Sequence, residues 1–156
     1  MKKNSGLTFV EVLVTISIAA IIAGIGFSSF YQWRNSVSLV NQVDELKSKI
    51  VEIRQSAISA AGETNWGIHF ETDQYIIFSG DSYNQSDQNN RIVVLKSAEI
   101  LNAATTLSNG NESFGPDLIF TKFTGQTPNI GTITLVSTNN QEVSYSFTIN
   151  SLGKIN

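Results

Sequence analysis

Glu11 is the only charged side chain between Leu7 and Phe30. It sits in the apolar run LTFVEVLVTISIAAIIAGIGFSSF, with Lys2 and Lys3 just ahead of it. A lone charge near the core of a bilayer costs about 2.5–3.5 kcal/mol on insertion scales. A carboxylate kept at such a cost needs a partner, and an opposite charge met in an apolar medium relieves the penalty of both groups. The run of about 24 residues makes roughly 36 Å of helix at about 1.5 Å per residue, enough to span a bilayer. The leading lysines orient such a span with its N-terminus in the cytoplasm and Tyr31 onward outside. An ordinary signal peptide fits poorly, because the run is too long and Gly6 precedes it rather than follows it.

The remaining candidates for chemistry are sparse. His69 is the only histidine, so no histidine pair can hold zinc, and a lone strand histidine is read as a satisfied surface residue. Asp81, Asn84 and Asp87 share a loop with Ser82 and Ser86. Their oxygens suit calcium, but the ordered ligand spacing of an EF-hand is missing, and a solvated turn is expected. Lys96, Lys122, Lys154, Arg54 and Arg91 would line a nucleic-acid edge only if the fold gathered them. Tyr31, Trp33 and Trp66 are expected as interfacial or core aromatics. No glycine-rich phosphate cradle is present. Cysteine is absent and the net charge is −3, so thiolate chemistry is excluded and nucleic-acid binding is disfavoured. No catalytic residue, metal or cofactor is expected.

The elements that must position these residues read clearly. From Tyr31 the pattern becomes amphipathic, with Val40, Val43, Leu46, Ile50, Ile53 and Ala57 as an apolar stripe and Gly62 as the stop. Gly24, Gly26, Ser28 and Ser29 mark a soft segment or a close helix approach in the apolar run. After Gly62 the period becomes two. Strands are expected at 65–70, 74–79, 92–95, 100–106, 118–123, 132–136 and 143–149. Glu71-Thr72-Asp73, Asn109-Gly110 and Asn139-Asn140 are the turns, 80–90 is a polar loop, and 151–155 offers a short edge strand. The class is α+β: a long N-terminal helix, transmembrane then amphipathic, packed on an antiparallel β-sheet domain. The divisions are 1–6, 7–30, 31–62 and 63–156.

The N-terminus Lys2-Lys3-Asn4-Ser5-Gly6-Leu7-Thr8-Phe9-Val10-Glu11 resembles the class III signal sequence of type IV pilins and pseudopilins. That resemblance implies a leader, residues 1–6, cut after Gly6 by a prepilin peptidase, and N-methylation of Leu7. It also implies that Glu11 pairs with the N-terminal amine of a neighbouring subunit in a filament. Leu7 replaces a commoner phenylalanine or methionine, Phe9-Val10 replaces Leu-Ile, and Ser28 stands where major pilins carry proline. The strand half is similar to minor pseudopilins of the GspH/FimT type. The likeness rests on Trp66-Gly67, Phe78-x-x-Asp81-x-x-Asn84 before Arg91-Ile92-Val93-Val94, and the ending from Val143 to Ile155. The protein is thus expected to be a pilin-like, non-catalytic subunit of a type IV pilus or type II secretion pseudopilus. Its partners would be the peptidase, other pilin or pseudopilin subunits, the inner-membrane assembly platform and the membrane. A major pilin and a DNA-uptake or adhesion subunit are the alternatives. A membrane-anchored enzyme would need a catalytic constellation that the chain does not offer.

Overall fold

The computed structural model describes residues 8–100, 106–108, 115–139 and 141–156, without the side chains of 25–29, 31, 32, 35, 106 and 108. Gly6, Leu7 and the Asn109-Gly110 turn lie outside the described residues, as does the side chain of Tyr31. The chain forms two compact units, Met1–Arg34 and Asn35–Asn156. One helix, α1 (Phe9–Ile58), contributes to both.

In the first unit α1 is rich in isoleucine, valine and alanine, and its described residues are exposed. Phe9 is 78% exposed and Ile22 65%. A Cβ added at Gly24 would meet nothing. Among the described residues no helix is long and apolar enough to cross a membrane; the Leu7–Phe30 run extends through side chains outside them.

In the second unit Leu39, Val43, Leu46, Ile50, Ile53 and Ala57 are each no more than 1% exposed. The stripe begins at Leu39, and Val40, expected as its first member, is only half-buried. Alternating steps of four and three from Leu39 hold a constant face, which Val40 leaves. The helix also stops before Gly62. It ends at Ile58, and Ala60 takes the left-handed conformation (φ 51°, ψ 38°). Alanine adopts that region at a cost of about 1–2 kcal/mol. Tertiary bonds offset it: Phe123 N–H donates to Ala57 O (2.9 Å) and Trp66 Nε1 to Ala61 O (2.7 Å). Gly62, itself left-handed at φ 72°, lies in the short 3-10 turn that follows, Ala61–Glu63.

Eight strands follow: β1 (Trp66–Phe70), β2 (Gln74–Ser79), β3 (Arg91–Val94), β4 (Ala98–Ile100), β5 (Thr106–Ser108), β6 (Asp117–Phe120), β7 (Ile130–Ser137) and β8 (Ser144–Ile149). Every pairing is antiparallel. The first sheet has the order β3-β2-β1-β6. In the second, β8 runs beside Gly131–Val136 of β7, so β4 and β5 share the other edge of β7. The expected strand over 100–106 is therefore two short strands, with 101–105 outside the described residues. The expected strand over 118–123 stops at Phe120, because Phe123 turns back to the helix end with φ 66°. The tail makes one bridge, Ile149 to Ile155, rather than a strand. Asn150 Oδ1 there accepts from Leu152 N and Lys154 N and curls the chain into a turn.

The core joins the helix stripe to Ile68, Phe70, Tyr75 and Ile77 of the first sheet and to Ile133, Leu135, Phe147 and Ile149 of the second. The outer face of the first sheet is buried too. Ile76 and Phe78 are 1% and 2% exposed, and Tyr83 of the 80–90 loop lies against Phe78, with ring centroids 5.7 Å apart.

Candidate assembly site and displayed surface

Glu11 occupies the first turn of α1. Thr8 is the cap: its Oγ1 accepts from Glu11 N–H (3.3 Å) and its carbonyl from Val12 N–H (3.2 Å). Thr8-Phe9-Val10-Glu11 therefore has the Thr-x-x-Glu spacing of a capping box. A carboxylate three residues into a helix is also favoured by the positive end of the macrodipole. The spacing was visible in the sequence, and it gives Glu11 a local role beside any intermolecular one. Its residue is exposed. Phe30 and Trp33 form a tilted aromatic pair at 5.9 Å, with Trp33 63% exposed.

His69 is held by neighbours on its ring edge and its ring face. Its Nδ1 lies 2.5 Å from Asp117 Oδ1 across the β1–β6 pair, and its Nε2 3.9 Å from Glu71 Oε1. Tyr83 stacks on the imidazole at 3.9 Å and 14°. Asp117 and Tyr83 are the residues that sequence reading missed. They stand 48 and 14 positions away, and only strand pairing and the fold-back of the 80–90 loop bring them together.

That loop spends its oxygens on itself and on Asn65, just ahead of β1. Asp81 Oδ1 accepts from Asn65 Nδ2 (2.7 Å), Asn84 Oδ1 from Ser86 N (3.0 Å) and Asp87 Oδ1 from Asn89 N (2.9 Å). Among the described residues no group of three or more metal-ligating side chains could hold an ion.

The basic residues are not gathered on one face. Arg54 Nε donates to Gly125 O and Leu152 O, both at 3.1 Å, tying two turns to the helix. Lys122 Nζ donates to Glu63 O (3.1 Å) and lies over the Phe123 ring. Arg91 and Lys96 flank β3, at the opposite edge of the first sheet from β6. Lys154 sits in the C-terminal turn. Trp66 is half-buried and packs against the core. On the helix, Lys49 bonds Glu52 at 2.6 Å, and this bond holds the Glu52 carboxyl below its ordinary range.

A capped apolar helix with one carboxylate, continued by an amphipathic segment on two antiparallel sheets, is the layout of a pilin-like subunit. Residues 42–153 match the family described as type II transport protein GspH, and residues 1–27 match the prokaryotic N-terminal methylation motif. The chain belongs to the GspH family. The match spans the buried stripe from Val43 on, both sheets and the Arg54 tie, while the methylation motif spans Gly6, Leu7 and Glu11. Together they make it a pilin-type pseudopilin. No curated protein and no solved structure matches the chain.

Proposed function

We propose that this GspH-family chain is a minor structural subunit of a type II secretion pseudopilus or a type IV pilus. It is a substrate of processing enzymes and is not itself an enzyme. The observation that carries this reading is the methylation motif over residues 1–27, laid on a capped apolar helix whose one early charge is Glu11. A prepilin peptidase removes residues 1–6 and the Leu7 amine is methylated. The apolar helix then holds the subunit in the plasma or inner membrane, with its N-terminus cytoplasmic and the strand domain outside. From there the assembly platform passes it into a filament of other pilin or pseudopilin subunits.

Cleavage gives Leu7 a charged amine where it previously had a peptide nitrogen. Glu11 of one subunit can then neutralise Leu7 of the next, which couples processing to polymerisation. Mass spectrometry of the mature chain from a processing-competent host should show N-methylated Leu7 as the first residue. Gly6→Val should leave an uncut precursor. Glu11→Leu should be inserted and cut normally yet be depleted from sheared filaments. A mature start well inside the apolar run would refute the processing step, and normal incorporation of Glu11→Leu would refute the charge pairing.

A further inference from the structure

Among the described residues the outer strand of the first sheet, β3, is open in a way that β6 and β8 are not. At β6, Ile119 N–H is taken by Asn129 Oδ1 (3.3 Å), and at β8 Thr148 exchanges two backbone bonds with Asn156 (3.2 and 2.9 Å). On β3, Leu95 N–H donates inward to Asp73 O (2.8 Å). Antiparallel alternation then turns Arg91 and Val93 toward β2 and aims the N–H and C=O of Ile92 and Val94 at the open edge. The side chains of these same two residues are 62% and 59% exposed. They stand on the sheet face where Ile76, paired with Ile92, is sealed. Among the described residues, backbone groups without a partner and exposed apolar side chains thus coincide at two alternate positions. Proteins usually blunt such an edge with charge on the strand, proline or a bulge. Here charge sits only at the ends, on Arg91 and Lys96, both exposed.

Those charges select the occupant. Two copies paired antiparallel through β3 would bring the cationic ends of one strand beside those of the other. Glu52 lies near Arg91, but its carboxylate is held by Lys49 at 2.6 Å. We infer that the β3 edge is a strand-addition site for an extended segment of a different chain, apolar at alternate positions and flanked by carboxylates. Main-chain bonds to Ile92 and Val94 supply affinity, and their side chains with Arg91 and Lys96 supply selectivity. This surface is independent of Glu11, so its test does not bear on filament entry.

The test uses the full chain in detergent micelles and a labelled, end-blocked peptide Asp-Val-Thr-Val-Thr-Glu, with a version carrying Lys at both ends as control. Anisotropy should show saturable binding of the acidic peptide, weaker by about tenfold or more for the Lys version at low salt. Hydrogen exchange should slow at Ile92 and Val94. Val94→Pro removes an outward N–H without touching the β2 ladder, and should cut binding by about tenfold or more. The double variant Ile92→Ser, Val94→Ser should do the same should the proline variant fail to fold. Absence of binding, equal binding of the two peptides, or binding that survives the serine variant would overturn the proposal. So would protection of Ile92 and Val94 that rises with protein concentration alone, which would assign the edge to a second copy.

Discussion

Gly67→Ala tests whether the outer face of the first sheet is packed as described. Three ring atoms of Phe78 lie 2.9 Å or less from where the new Cβ would stand. Carbon atoms in contact prefer about 3.5–4.0 Å, so the ring must move by close to an ångström. It cannot move freely. Phe78 is 2% exposed, and Tyr83 rests against it while stacked on His69, which is held by Asp117. Overpacking of this kind costs about 1–3 kcal/mol. Alanine recovers about 0.5–1 kcal/mol over glycine in a strand, which leaves a net loss of about 1–2 kcal/mol. The assay is equilibrium urea unfolding of the detergent-solubilised chain followed by near-UV circular dichroism. Phe78→Leu supplies the second leg of a double-mutant cycle. In that background Gly67→Ala should cost less than about 0.5 kcal/mol, giving a coupling near 1 kcal/mol. A neutral or stabilising Gly67→Ala, or an equal cost in both backgrounds, would refute the reasoning.

Leu46→Asp buries an unpaired carboxylate at a fully buried position and should abolish the near-UV signal of the strand domain, whereas Val51→Asp, at a 58% exposed site, should unfold like the parent. Arg54→Ala should cost about 1.5–2 kcal/mol through loss of one charge-assisted N–H shared between two carbonyls and speed hydrogen exchange at Gly125 and Gly153 more than at Ile68. Tyr75→Phe should be neutral or slightly stabilising in urea, because among the described residues the buried Tyr75 hydroxyl has no partner. Burial, with Glu45 and Glu52 adding, pushes the Tyr75 pKa up to about 12 against the opposing pull of Arg91. The neutral phenol is therefore favoured in the folded chain. Its contribution to stability is complete below about pH 10 and is lost as pH rises toward 12. Parent and Tyr75→Phe melting temperatures should diverge only in that window.

What the sequence disclosed depended on how local the cause was. The helix stripe and the hairpin of β1 and β2 follow from spacing, so Leu46, Ile50 and Ile68 could be placed in the core before any coordinates. The helix stop could not, because one of the bonds that hold the end comes to Ala57 O from Phe123, 66 positions further along the chain. The expected 100–106 strand meets the described residues only at its ends, and an apolar run says nothing about which edge of β7 those ends join. At the candidate site Glu11 was legible from charge and hydropathy, and the Thr8 cap from spacing that was overlooked. The His69 cluster was invisible, since strand register alone sets Asp117 beside it. The five cations needed the fold to decide their placement. They look collectable on paper, but the fold puts Arg91 and Lys96 at one sheet edge and spends Arg54 and Lys122 on backbone carbonyls.

The Arg54 tie also sets an order of events. Its two acceptors lie 71 and 98 residues further along the chain. Loop closure over such distances comes late and slows folding. The helix is complete before the two turns that it must hold have been synthesised, so this tie cannot close until residue 152 is made. A latch whose halves are made so far apart in time engages only after every strand of both sheets is present.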